Sequence, residues 1–321
     1  MMDWTDRHYR YFARLISQKS LLYTEMVTTG AILFGDQSRH LDYSKQEHPL
    51  ALQLGGSTPD DLARCTEIAN RYNYSEVNLN IGCPSDRVQN NMIGACLMAH
   101  ADLVKNCLIE MRNVSNVPVT VKHRIGIDEQ DDWVFLKDFV GTVSESGCKT
   151  FIVHARKAIL SGLSPKENRE IPPLIYERVY QLKRAFPDLE IIINGGIQTI
   201  TECLEHLQFV DGVMIGRAAY QNPWILSQVD ETLYGSEANT NTRHDILRAY
   251  FPYVESQLAS GQKLSYMTRH ILGLFHGCPG GKKFRRFLSE NAHKPDAGLK
   301  TLEEAMKLVP ENNSQPVQKT T

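Results

Sequence analysis

Cys83 is the sharpest chemical residue in this sequence. It stands in Asn80-Ile81-Gly82-Cys83-Pro84, where an apolar run ends and Gly and Pro fix a tight loop. A thiol held past a strand end is placed to act as an acid or a nucleophile. Cys65, Cys96, Cys107, Cys148, Cys203 and Cys278 lie in helical or apolar contexts and read as small core residues. Lys122, in Val121-Lys122-His123-Arg124, ends another apolar run, and His154 ends the next in the same manner. A cation in such a place needs a negative partner; a phosphate, a reduced flavin (negative at N1/O2) or a neighbouring carboxylate of the protein would each serve. A lone histidine is more often structural, but aligned with Lys122 it becomes a candidate for ligand contact or proton handling. Asn80 would point inward, where an amide can pair with a planar polar ring such as a base. Asn194-Gly195-Gly196 and, one unit later, Gly216-Arg217 supply glycines that let backbone N–H groups approach a phosphate, with an arginine for charge. Each alone reads equally well as an ordinary turn; the pair in register favours phosphate. Gly280-Gly281-Lys282-Lys283 is no Walker loop, because His276 stands where the first glycine belongs and Lys283 where Ser or Thr must hold magnesium.

These residues sit at the carboxyl ends of recurring β-branched runs: Leu21–Val27, Leu50–Leu54, Glu76–Ile81, Pro118–Val121, Thr150–Val153, Glu190–Ile193 and Gly212–Ile215. Amphipathic stretches lie between them. Thr58-Pro59-Asp60-Asp61 offers a cap, a first-turn Pro and an acid, and Thr199-Ile200-Thr201-Glu202 repeats the capping-box pattern. Alternating strands and helices predict a parallel sheet. Seven strands fit an open doubly wound sheet or a (β/α)8 barrel lacking one. Regular spacing and polar strand ends (Gln53, Asn80, Lys122, His154, Asn194, Gly216) favour the TIM barrel, whose sites are built from those ends; its first strand would then have to precede Met1. From about Asp230 only helices are expected. The reading divides the chain into a barrel over 1–229, a helical domain over 230–310 and a disordered tail over 311–321.

The 321 residues are 42% apolar and 22% charged, ordinary for a globular protein. The sequence has neither an apolar signal core at its start nor an uninterrupted apolar run of about 18 residues. Seven cysteines without a C-x-x-C pair argue against a disulfide framework or structural zinc and for a reducing compartment. We expect a cytoplasmic, metal-free monomer without membrane contact. Between Arg243 and Lys300 stand ten Lys/Arg against four acids, a net +6 in a chain of −2, so the rest carries −8. Such asymmetry fits a polyanion partner or a solvated helical face.

Together, Met1-Met2-Asp3-Trp4-Thr5-Asp6, Gln53-Leu54-Gly55-Gly56, Asn80-Ile81-Gly82-Cys83-Pro84-Ser85, Val121-Lys122-His123-Arg124-Ile125-Gly126, Val153-His154-Ala155-Arg156, Asn194-Gly195-Gly196-Ile197 and Gly216-Arg217-Ala218 resemble the tRNA-dihydrouridine synthases, most closely the bacterial A-type. The resemblance extends to about His293. It implies an FMN-bearing (β/α)8 barrel with a helical C-terminal domain, using NADPH to reduce D-loop uridines of tRNA at positions 20 and 20a. By matching motif, Met1, Met2, Gln53, Lys122, His154, Asn194, Gly195, Gly196, Gly216 and Arg217 would contact FMN. Cys83 would be the proton donor, Asn80 and Arg156 would address the uracil, and Lys166, Arg169, Lys282 and Arg285 would contact tRNA. The family has a strand ending in Ala-Pro just before the counterpart of Met1-Met2, which this sequence lacks. Two rivals remain open at this point: a dihydroorotate-dehydrogenase-like flavoenzyme, which would need no basic helical domain, and a non-catalytic RNA-binding protein, against which the joint presence of Cys83, Lys122 and His154 argues.

Overall fold

The computed structural model describes residues 1–85, 92–237 and 239–311. Each of the seven β-branched runs forms a strand: β1 Leu22–Thr28, β2 Leu50–Gly55, β3 Glu76–Ile81, β4 Val119–Arg124, β5 Thr150–His154, β6 Glu190–Asn194 and β7 Gly212–Met214. They run parallel in sequence order, each paired with the next. β1 and β7 are the two edges; among the described residues no strand joins them, so the sheet is a barrel wall open on one side.

Helices cover the outside of that wall. α1 (Arg7–Ile16) precedes β1; α2 (Pro59–Ala69), α3 (Ala101–Val114), α4 (Trp133–Ser144), α5 (Tyr176–Ala185) and α6 (Ile200–His206) follow β2 to β6. The Thr199–Glu202 capping box forms as the sequence predicts, with Glu202 N–H on Thr199 Oγ1 at 3.1 Å and Thr199 N–H on Glu202 Oε2 at 3.1 Å. Thr58 takes the expected place before Pro59, but its hydroxyl makes no capping bond. After β7 the chain is helical: α7 (Arg243–Ala259), α8 (Gly281–Asn291) and α9 (Leu299–Met306) are the longest elements. α7 lies against α1, where Tyr253 Oη meets His8 Nδ1 at 2.8 Å. No described helix is long and apolar enough to cross a membrane. Of the expected tail, residues 312–321 lie outside the described residues.

Side chains alternate across a strand, and here the two faces differ in kind. Leu52, Leu54, Val77, Leu79, Val121, Phe151, Val153, Ile191 and Ile193 are buried beneath the helices and build the main core. The other face carries Gln53 on β2, Glu76, Asn78 and Asn80 on β3, Thr120, Lys122 and Arg124 on β4, His154 on β5 and Asn194 on β6. Barrel interiors are ordinarily filled by Val, Ile and Leu. A polar inner face from β2 to β4 therefore marks a function other than packing.

Candidate functional site at the carboxyl ends of the strands

The strand register brings the predicted residues side by side: Asn80 pairs with Lys122, Arg124 with His154, and His154 with Asn194. Lys122 Nζ donates to Asn194 Oδ1 at 3.0 Å, and Asn194 Nδ2 in turn donates to the Met214 carbonyl at 2.8 Å. Among the described residues Lys122 has no carboxylate partner, so the third of its possible counterions is not the one the protein provides. Desolvation lowers its pKa to about 8, with Arg124 adding repulsion. His154 is held well below its ordinary value by desolvation and then by Arg124, Lys122, Arg156 and Arg217. It is a neutral imidazole here, suited to hydrogen bonding and poorly suited to delivering a proton.

Cys83 is half-buried and its loop is pinned from three sides. Asn80 Oδ1 accepts the N–H groups of both Gly82 and Cys83 at 3.0 Å. Ala95 N–H donates to the Cys83 carbonyl at 2.9 Å. Arg124, only 3% exposed, donates from Nε to the Gly82 carbonyl at 2.9 Å and from Nη1 to the carbonyls of Lys157 and Asn168 at 2.9 and 3.0 Å. Arg124 had no assigned role in the sequence reading, although it stands in the Val-Lys-His-Arg motif. Only its cross-chain carbonyl partners reveal it as the clamp of the cysteine loop. Asn80 likewise holds the loop and donates to Gln53 Oε1 at 2.8 Å, leaving part of its amide for a ligand.

Gly195 and Gly196 have φ of +121° and +74°, conformations that favour glycine. A Cβ on Gly195 would stand 2.7 Å from His154 Cδ2, so the glycine lets this turn press against the imidazole. Gly216 differs: a Cβ there would meet only Met1 Sδ, at 3.9 Å, and an incoming group has room beside its backbone. Met1 thus lies beside Gly216, and Met2 is 59% exposed. Arg217 is held by Glu170 at 3.1 Å and donates to the Arg169 carbonyl at 3.2 Å. Arg156 donates through Nη1 to the Pro172 carbonyl. Among the described residues the buried Nε atoms of Arg156 and Arg169 have no hydrogen-bond partner, which a native interior tolerates only where something else completes them. An ammonium without a carboxylate, two orphaned guanidinium nitrogens and open space beside Gly216 fit an anionic, polar-edged ligand such as a flavin mononucleotide.

Lys282 and Arg285 are exposed on α8 with Lys283 and Arg286, while Gly281, Phe284 and Leu288 bury its other face. Lys166 is exposed at the start of the short turn Glu167–Arg169.

The dihydrouridine synthase family model matches residues 1–310. The chain is 60% identical over 310 residues to the tRNA-dihydrouridine(20/20a) synthase of Escherichia coli strain K12, covering 96% of this chain and 90% of that one. The proteins of the same name from Salmonella typhi and Vibrio parahaemolyticus are 59% and 58% identical, over 96% and 97% of this chain and 93% and 95% of theirs.

Proposed function

Because the chain belongs to the dihydrouridine synthase family, we propose that it reduces the C5–C6 bond of uridine in tRNA, at D-loop positions 20 and 20a, with FMN as resident cofactor and NADPH as reductant. The observation that carries this reading is a lysine with no carboxylate partner among the described residues, near a thiol whose loop Asn80 and Arg124 hold in place. When bound, FMN supplies the hydride chemistry, taking hydride from NADPH and giving it to C6 of the base. Lys122, Gln53, His154 and Asn194 would hold its ring; Gly195, Gly196, Gly216 and Arg217 would hold its phosphate, with Met1 and Met2 alongside. Lys122 neutralises negative charge in the cup, and His154 contributes a hydrogen bond rather than a proton.

Cys83 gives the proton. As C6 gains hydride, negative charge builds at C5 and O4 of the base; the Cys83 S–H bond breaks, a C5–H bond forms, and solvent restores the thiol. A positioned general acid of this kind contributes about 10²–10⁴-fold. Asn80 and Arg156 address the uracil edge. The base must leave the RNA stack to enter the cup, so the RNA has to be gripped elsewhere. Residues 230–310 are the gripping unit beside the catalytic barrel of 1–229, with Lys282 and Arg285 on phosphates and Lys166 and Arg169 nearer the mouth. Phosphate contacts position the RNA while the cup selects the base. A flavoenzyme for free pyrimidines would have no use for four exposed cations on one helix. The test is incubation of unmodified tRNA transcript with the protein, FMN and NADPH, followed by mass spectrometry. Dihydrouridine at positions 20 and 20a is expected; NADPH-driven reduction of orotate, or oxidation of dihydroorotate to orotate, with no dihydrouridine formed in tRNA would overturn the reading.

A further inference from the structure

A hydrogen-bond chain of uniform direction runs down the inner face of the sheet from the cysteine loop to the floor. Cys83 N–H donates to Asn80 Oδ1 at 3.0 Å, and Asn80 Nδ2 donates to Gln53 Oε1 at 2.8 Å. Gln53 Nε2 donates to Asn78 Oδ1 at 2.9 Å, and Asn78 Nδ2 to Thr120 Oγ1 at 2.8 Å. The Thr120 hydroxyl then donates to Glu76 Oε1 at 2.6 Å, where the Tyr23 hydroxyl also donates at 2.7 Å. Asn78, Thr120, Glu76 and Gln53 are all buried, so water does not scramble the order.

The two ends fix the direction. At the top a backbone N–H can only donate, so Asn80 must present its oxygen to the loop and its NH2 to Gln53. That favours Gln53 accepting through Oε1 and donating through Nε2, and Asn78 doing the same, an order held firmly only when the far end also demands it. At the bottom the carboxylate of Glu76 accepts, so Thr120 donates to it and accepts from Asn78. Burial raises the Glu76 pKa while the bonds from Thr120 and Tyr23 lower it; in either protonation state a carboxyl oxygen accepts.

We infer that Glu76, through Thr120 and Asn78, is a positioning residue that locks the Gln53 and Asn80 amides so that they meet the ligand through N–H. The inference rests on the flavin reading above and extends it. Each amide has one N–H left after the chain is satisfied; with Lys122 close by, that of Gln53 would serve a bound flavin as it gains negative charge, and that of Asn80 the uracil edge. The chain then stabilises the reduced cofactor over the oxidised one, a contribution that no residue of the chain below Gln53 makes by touching the ligand.

The measurement is the two-electron midpoint of the FMN-loaded full chain, with the affinity for oxidised FMN measured alongside. Thr120→Val removes the link to Glu76 and frees Asn78 to turn over. The reduced-to-oxidised affinity ratio should fall about tenfold, which for a two-electron couple is about 30 mV toward negative. Thr120→Ser keeps the hydroxyl and should stay within about twofold of the parent, a rescue that loss of packing alone would not give. If Thr120→Val fails to fold, Glu76→Gln carries the test with a smaller fall, about threefold, because one end of the chain loses its fixed polarity. FMN bound by Thr120→Val and Glu76→Gln with an unchanged ratio would overturn this inference and leave the flavin reading intact. A parent protein that binds FMN in neither redox state would overturn both.

Discussion

The cations of the strand-end cup and the cations of α8 differ in everything that surrounds them. Lys122 and Arg124 are desolvated, hold fixed partners in the protein's own carbonyls and amides, and have no carboxylate among the described residues. Their pKa values fall to about 8 and about 10, the mark of charge kept in a low-dielectric site without a counterion. Lys282, Lys283, Arg285 and Arg286 are exposed, and among the described residues only Arg286 of this cluster is paired, with Glu290 one turn on. They also crowd the amino-terminal half of α8, where the helix dipole disfavours positive charge. Neither arrangement serves the folded chain by itself. Desolvated charge serves one bound anion at a fixed place; exposed charge serves many phosphates loosely and yields to salt.

The largest effect that separates the two regions is expected at Lys122. Lys122→Met should lower affinity for FMN by about 2 kcal/mol or more, some thirtyfold, as when one partner of a buried charge pair is removed. The ligand-free variant should melt no lower than the parent, because among the described residues the ammonium it loses has no carboxylate to leave stranded. Fluorescence titration and thermal melting check the two halves. Arg124→Lys should cost less binding but more turnover, since an ammonium cannot span the carbonyls of Gly82, Lys157 and Asn168 as a guanidinium does. We expect about a tenfold fall in kcat with FMN affinity within about threefold, read from single-turnover kinetics.

A pH series sharpens the contrast. In the free protein Lys122 loses its proton near pH 8, and an anionic ligand raises that pKa. Above pH 8 the protein must therefore take up a proton to bind, and affinity falls by up to about tenfold per unit; below pH 8 this group contributes no slope. Lys122→Met should abolish that slope. The smallest effect belongs to α8. Replacing Lys282 and Arg285 with Ala should flatten the salt dependence of tRNA binding by about one unit of slope per lost phosphate contact, leaving FMN affinity and tRNA-free NADPH oxidation unchanged. An unaltered salt slope would return this cluster to a solvated face.

What could be read in the sequence followed the range of the interactions. Strands announced themselves because β-branched runs are local, and the strand-end residues Gln53, Asn80, Lys122, His154 and Asn194 were visible by position alone. The Thr199–Glu202 cap was visible for the same reason. The clamp of Arg124 on Gly82 and the column Glu76–Asn78–Thr120 were not, because their partners lie across strands 42 to 44 residues away. A faint signal existed: Glu76, Asn78 and Asn80 alternate with Val77, Leu79 and Ile81, which marks a strand with a polar inner face. Nor could sequence show that Glu170 would hold Arg217, or that surrounding cations would keep His154 neutral.

The proton donor proposed for a base reduced within the cup is Cys83, and one variant addresses it. Cys83→Ala should keep bound FMN, its fold and its oxidation of NADPH, because no described hydrogen bond of the loop uses the thiol. Dihydrouridine formed per NADPH-reduced enzyme, measured by mass spectrometry of tRNA after a single turnover, should fall about 10²–10⁴-fold, while Cys65→Ala and Cys203→Ala stay near the parent. Parental dihydrouridine formation by Cys83→Ala would contradict the claim and move the proton source elsewhere.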